Sequence, residues 1–245
     1  DGRFPRDPEP TASNLSELCS LVRDTGADIG FAVDPDADRL SLVDETGKAM
    51  GEDLTLAFAA SVVLSRTVGP VVTNLSTSQV LNDVADSFSA PLMRTAVGEI
   101  NVAERMIAEG AVIGGEGNGG VILPALHHTR DAPLAAALIL QHLIDVGSSP
   151  SIAAQGWPSY CIIKEKINFP REALSGAYQV LEKDLDGATL DRSDGLRLTW
   201  RDRSMWLHVR PSGTEPVVRL IVEALDERTA QSLLNRALGL LEGVL

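Results

Sequence analysis

Apolar positions along the chain repeat in two ways. Leu15, Leu18, Cys19 and Val22 recur at helical spacing, with Asn14 and Glu17 placed as a capping pair at the start of that helix. Short apolar runs at 29–33 and 40–43 read as strands. From residue 51 helices and strands alternate. A helix carrying Leu54, Leu56, Phe58, Ala59, Val62 and Leu64 leads to a buried strand at 70–74, then a helix over 78–88 and a strand at 92–95. A helix over 99–109, strands at 111–113 and 121–123, and a long helix over 132–145 follow. This interleaving predicts a doubly wound α/β unit with a mixed sheet and sites in the loops after strand ends.

Gly147-Ser148-Ser149-Pro150 and Gly156-Trp157-Pro158 mark a boundary. Beyond it come a strand at 160–167, a helix after Pro170, strand-like runs at 196–200, 205–209 and 217–224, and a last amphipathic helix over 227–241. That order predicts a small α+β domain with an antiparallel sheet. The expected division is therefore 1–48, 49–157 and 158–245. One helix and two strands cannot bury both faces of a sheet, so residues 1–48 read as the end of a unit that starts earlier, and the chain is expected to be a fragment.

Composition narrows the function. The 245 residues are 44% hydrophobic and 22% charged, which describes a globular protein with a real core. The net charge of -13 argues against a nucleic-acid backbone or an anionic membrane surface as partner, so any phosphate must be held by a few local cations. No apolar run is long enough to span a bilayer, and Cys19 and Cys161 make no disulfide framework; a cytoplasmic location and two buried cysteines are expected.

Three loops carry chemistry. In Val33-Asp34-Pro35-Asp36-Ala37-Asp38-Arg39 the alternate carboxylates of an extended segment share one side, so Asp34, Asp36 and Asp38 are expected to converge on a hard divalent cation, Mg²⁺ first. A solvated acidic turn is the plainest rival. A calcium loop is another, but Arg39 stands where its turn needs Gly and the flanks are strands; a phosphatase with Asp34 as nucleophile is a third. Gly114-Gly115-Glu116-Gly117-Asn118-Gly119-Gly120 lets backbone approach a ligand closely while Glu116 and Asn118 meet hydroxyls, although a plain flexible hairpin has the same composition. Arg210-Pro211-Ser212-Gly213-Thr214-Glu215-Pro216, with Arg219 after it, offers hydroxyls, backbone N–H groups and guanidinium as a phosphate cradle, against the alternative of an ordinary turn.

The order of these loops, together with Asp1-Gly2-Arg3-Phe4-Pro5 and Pro8-Glu9-Pro10, resembles the α-D-phosphohexomutase family along essentially the whole chain. The resemblance implies a four-domain enzyme that moves a phosphoryl group between the 1- and 6-positions of a hexose through a bisphosphorylated sugar and an active-site phosphoserine. It implies Mg²⁺ on Asp34, Asp36 and Asp38, and Arg39 at the transferring phosphoryl group. Glu116 and Asn118 would meet the sugar, and Arg210, Ser212, Gly213, Thr214 and Arg219 the other phosphate. The hexose phosphate and the N-terminal domain that carries the phosphoserine are the implied partners. Thr11-Ala12-Ser13-Asn14 lacks the His and Pro of the family's phosphoserine loop, so Ser13 is expected to be no nucleophile and the chain alone inactive. Asn118 replaces a Ser of many members, Gly120 a His, and Ala96 and Glu99 leave out two further cations. His127 and His128, with Arg130 and Asp131, are placed near the same cleft. The loops lean toward phosphoglucosamine or phosphomannose. A non-catalytic phosphosugar-binding protein and the metal-dependent phosphatase remain as alternatives.

Overall fold

The computed structural model describes residues 3–4, 6–213 and 216–244. Two compact units divide them, Asp1–Pro158 and Ser159–Leu245.

In the first unit, α1 (Ser16–Thr25) lays its apolar stripe on a hairpin of β1 (Ile29–Val33) and β2 (Leu40–Asp44), and Leu15, Val22, Ala32 and Val43 form one cluster. The antiparallel register sets Phe31 opposite Leu42. Asn14 does not cap α1. It lies in a 3₁₀ turn, its amide donates to the Glu9 carbonyl at 2.9 Å, and Leu15 takes the N-cap position without a side-chain bond. All of β2 is buried. The helix that follows, α2 (Asp53–Leu64), covers it, with the Thr55 hydroxyl donating to the Leu40 carbonyl at 2.7 Å.

Nearly every side chain of α2 is buried, as its apolar run predicts. Around it stand β3 (Val71–Asn74), α3 (Val80–Ser87), β4 (Leu92–Thr95), α4 (Glu99–Glu109), β5 (Ile113–Glu116), β6 (Gly120–Ile122) and α5 (Ala132–Val146). The strand order is β4-β3-β5-β6, with β3 parallel to β4 and β5, and β6 antiparallel to β5. The carboxyl ends of β3 and β5 therefore deliver Asn74 and Glu116 to one rim, where open α/β sheets place ligands. Residues 147–150 were expected as a turn; a short helix, α6 (Pro150–Ala153), starts there. Glu45 anchors it by accepting from the Ser149 hydroxyl at 2.6 Å and from Ser151.

The second unit contains β7 (Cys161–Ile167), α7 (Leu174–Asp184), β8 (Thr189–Asp191), β9 (Leu196–Trp200), β10 (Met205–Pro211), β11 (Val218–Ala224) and α8 (Glu227–Glu242). Its antiparallel sheet has the order β7-β11-β10-β9-β8. Alternate residues Leu198, Leu207, Leu220 and Val222 pack with Leu181, Leu234 and Leu241 of the helices. The edge strand β8 is too short to show in the alternation. Cys19 and Cys161 are half-buried free thiols rather than core residues. Among the described residues no single helix is long and apolar enough to cross a membrane.

Candidate functional site

The acidic loop is a tight turn, not an extended segment. The Ala37 N–H donates to the Asp34 carbonyl at 3.1 Å, and Ala37 itself has φ 56°. A non-glycine residue in the left-handed region breaks strand alternation, which is why two of the three aspartates come together and the third does not. Asp34 is buried and Asp38 half-buried, at opposite ends of the turn that the Asp38 N–H closes onto the Asp34 carboxylate; Asp36 is exposed. Among the described residues no three His, Cys, Asp or Glu side chains are grouped as a metal site.

Cations compensate the pair. Arg39 Nε donates to Asp34 Oδ2 at 2.7 Å, and the N–H groups of Asp38 and Arg39 donate to Asp34 Oδ1 at 3.1 and 3.2 Å. Burial alone would raise the pKa of Asp34, but the bonds from Arg39 and Asp38 hold it below the ordinary carboxylate value. Asp38 shifts the other way: burial, then the bond and charge of Asp34, push it up against the pull of Arg130. Arg39 also reaches Glu9, Nη1 donating to Oε1 at 3.2 Å.

The glycine-rich loop packs onto this turn. Leu40 N–H donates to the Gly119 carbonyl at 3.0 Å, and Gly119 has φ +92°; a Cβ there would lie 2.3 Å from the Leu40 carbonyl. A Cβ on Gly117 would lie 2.1 Å from Asp53 Oδ1. The glycines therefore serve close approach within the protein, where the sequence pattern suggested approach to a ligand. Glu116 is buried, accepting at Oε1 from Asn74 Nδ2 at 2.7 Å and from Gly98 N–H at 3.0 Å. Asn118 is half-buried and accepts from Gly120 N–H at 3.2 Å, a local turn bond.

Arg130 joins the loops. Its Nη1 donates to Glu116 Oε2 at 2.7 Å and its Nη2 to Asp38 Oδ2 at 2.5 Å, while Nε stands 3.4 Å from Glu99 Oε2. Its backbone N–H donates to Glu99 Oε1 at 2.9 Å. Sequence reasoning placed Arg130 near the cleft without giving it a role. Glu99, which seemed only to remove a cation, is one of its carboxylate partners. Of the neighbouring histidines, His127 contacts Asp131 at 2.9 Å, and Asp131 caps α5 by accepting from Leu134 N–H, a structural arrangement.

In the second unit, β10 and β11 set Arg210 directly opposite Arg219, on one face of the sheet. Arg210 Nε donates to Asp194 Oδ2 at 2.8 Å, and Ser212 is buried, its N–H donating to the Val217 carbonyl at 2.8 Å. Arg171 Nη2 donates to the Ser212 carbonyl at 2.8 Å and steadies the turn. A Cβ on Gly213 would meet nothing within 4 Å. Thr214 lies outside the described residues.

Fold and loops together describe an α/β protein with a carboxylate–arginine cluster in its first unit and an arginine-bearing turn in its second. Family models for phosphoglucomutase/phosphomannomutase match the chain in succession: α/β/α domain II over residues 1–47, α/β/α domain III over 51–160 and the C-terminal domain over 163–239. The chain belongs to this family, the α-D-phosphohexomutases. It is 40% identical over 237 residues to a probable phosphoglucosamine mutase of Methanopyrus kandleri, covering 95% of this chain and 52% of that protein. A phosphoglucomutase/phosphomannomutase family structure from Burkholderia thailandensis superposes with a TM-score of 0.85 at 25% identity, covering 100% of this chain and 53% of the other. The N-acetylphosphoglucosamine mutase of Aspergillus fumigatus, solved with GlcNAc-6P and magnesium, shares the fold at a TM-score of 0.62 and 15% identity, over 87% and 48% of the two chains. The chain spans about half the length of the relatives it matches.

Proposed function

We propose that the chain is the metal-, sugar- and phosphate-binding portion of a cytoplasmic phosphohexomutase that interconverts hexose 1- and 6-phosphates, with phosphoglucosamine or phosphomannose favoured. The observation that carries this reading is the cleft in which Asp38 of the acidic turn and Glu116 of the glycine-rich loop meet on one guanidinium. The 40% identity to a protein named a probable phosphoglucosamine mutase supports the lean in substrate. Residues 1–48, 49–157 and 158–245 are read as the end of domain 2, domain 3 and domain 4.

The donors fit Mg²⁺, which takes oxygen ligands and is commonly held by one or two carboxylates together with substrate phosphate and water. Asp34 and Asp38 already stand at one turn, and Asp36 is exposed and free of the core to join them. Asp34 and Asp38 would hold the cation at the turn, where it would supply positive charge beside a phosphoryl group. Arg39, fixed through Nε by Asp34, holds positive charge at the same turn for the phosphoryl group. Glu116 and Asn118 orient the sugar hydroxyls. Arg210, Ser212, Gly213, Thr214 and Arg219 take the phosphate that stays in place. The phosphoserine that donates and recovers the group is assigned to a segment other than these 245 residues, so this chain alone does not turn over.

Asp34 is a poor phosphatase nucleophile, because both its oxygens accept hydrogen bonds from Arg39 and the backbone. Calorimetric titration of this chain with glucosamine 6-phosphate, mannose 6-phosphate, glucose 6-phosphate and inorganic phosphate tests the reading. Binding of a hexose phosphate at least about tenfold tighter than inorganic phosphate is expected, since sugar contacts add to the phosphate contacts. Equal affinity for all four, or binding of none, contradicts it.

A further inference from the structure

We propose that Arg130 is the internal counter-ion of the acidic turn and competes with the divalent cation for Asp38, so that metal binding moves its guanidinium off the turn and leaves it to the sugar loop. The inference rests on the metal reading above and gives Arg130 a role beyond joining the two loops.

Three observations carry it. First, Arg130 Nη2 is bonded to Asp38 Oδ2, the oxygen of the half-buried partner in the Asp34–Asp38 pair, and its side chain is only 17% exposed. Asp38 faces Asp34 on one side, with Arg39 Nε 3.9 Å away, so Arg130 is its nearest positive charge. A guanidinium and a divalent cation brought to the same carboxylate repel each other at short range, and each draws on the charge that holds the other.

Second, Arg130 has somewhere to go. Nη1 is already bonded to Glu116 and Nε lies 3.4 Å from Glu99 without a hydrogen bond, so losing Asp38 leaves the guanidinium held by Glu116 and within ion-pair reach of Glu99. The released Nη2 then belongs to the group that fixes Glu116, at the loop read as the sugar site. Metal occupancy and sugar recognition become linked through one side chain.

Third, the chain makes room for this path at one position. A Cβ on Gly120 would stand 2.2 Å from Arg130 Cδ and 3.0 Å from Cγ, so the aliphatic stem passes directly over that glycine. Any side chain at 120 displaces Arg130. Gly120 and Arg130 therefore form one device, and it supplies positive charge in a cleft where Ala96 and Glu99 bring none.

The test is Mn²⁺ binding to the full chain, followed by electron paramagnetic resonance and checked by displacement with Mg²⁺. Arg130→Gln is expected to tighten Mn²⁺ binding about tenfold by removing the competing charge-assisted bond. Arg130→Lys, which keeps the charge, should restore affinity to within about threefold of the parent. Gly120→Ala, which displaces the stem but keeps the guanidinium, should tighten binding in the same direction and decides the matter if the Gln variant does not fold. Unchanged or weaker Mn²⁺ binding in the folded variants overturns the competition and leaves the metal site standing. Absence of Mn²⁺ binding in parent and variants alike overturns the metal reading and this inference together.

Discussion

The cleft of the first unit and the arginine-bearing turn of the second solve charge burial differently. In the cleft, Arg130 and Arg39 are shared among Asp34, Asp38, Glu99, Glu116 and Glu9, and loops far apart in sequence are tied by those bonds. In the turn, Arg210 is bonded within its own sheet neighbourhood, Nε donating to Asp194 at 2.8 Å. The lesson is that the first site is assembled by tertiary structure and is costly to unpick, whereas the second is a local product of one hairpin register and is tuned cheaply.

The largest effect that follows from this contrast is at Glu116. Glu116→Ala leaves Arg130 and the Asn74 amide short of a buried partner and is expected to destabilise the first unit by about 3–5 kcal/mol, read from its denaturant unfolding transition. A loss below about 1 kcal/mol would mean that the cleft is not held together as described. Next comes Gly119→Ala, where φ +92° and the Leu40 carbonyl penalise a side chain; about 1–3 kcal/mol is expected from the same measurement. Both substitutions should leave the second unit's unfolding unchanged.

Asp194→Asn sharpens the other side of the comparison. It loosens Arg210 without altering the hairpin, so hexose phosphate binding by calorimetry should weaken about fivefold while Mn²⁺ binding at the cleft stays the same. The smallest effect lies in the scaffold. Glu45 is held at a pKa of about 2: burial opposes ionisation, but the bonds from Ser149 and Ser151 together outweigh it. The unfolded carboxyl titrates near 4.5, so the folded state binds fewer protons between these values. The stabilisation from Glu45 is present above pH 4.5 and lost as pH falls toward 2. Glu45→Gln should flatten that part of the stability–pH curve and cost less than about 1 kcal/mol near neutrality.

Legibility from sequence followed the range of the interactions. Hydrophobic alternation located β1, β2 and the α2–β3 succession closely, because strand and helix periods are local. The register that puts Arg210 opposite Arg219 was likewise implicit in one hairpin. Arg130 was not legible as a hub: its acidic partners lie 92, 31 and 14 positions away, and no spacing rule spans such distances. The acidic turn misled for a different reason. Period-2 reasoning assumed extended backbone, but Ala37 in the left-handed region turns Asp36 outward. Asn14 had the composition of a cap, yet its amide found the Glu9 carbonyl first. Glycines in the 114–120 loop signalled close approach correctly, although not that its object is Leu40, Asp53 and Arg130.

The central claim is that the acidic turn and the glycine-rich loop form one ligand site. Crystals of this chain soaked with Mg²⁺ and glucosamine 6-phosphate test it most directly. The account predicts the cation on oxygens of Asp34 and Asp38, with sugar hydroxyls bonded to Glu116. A sugar phosphate bound away from Glu116, or a cation bound nowhere on the 34–38 turn, would contradict it.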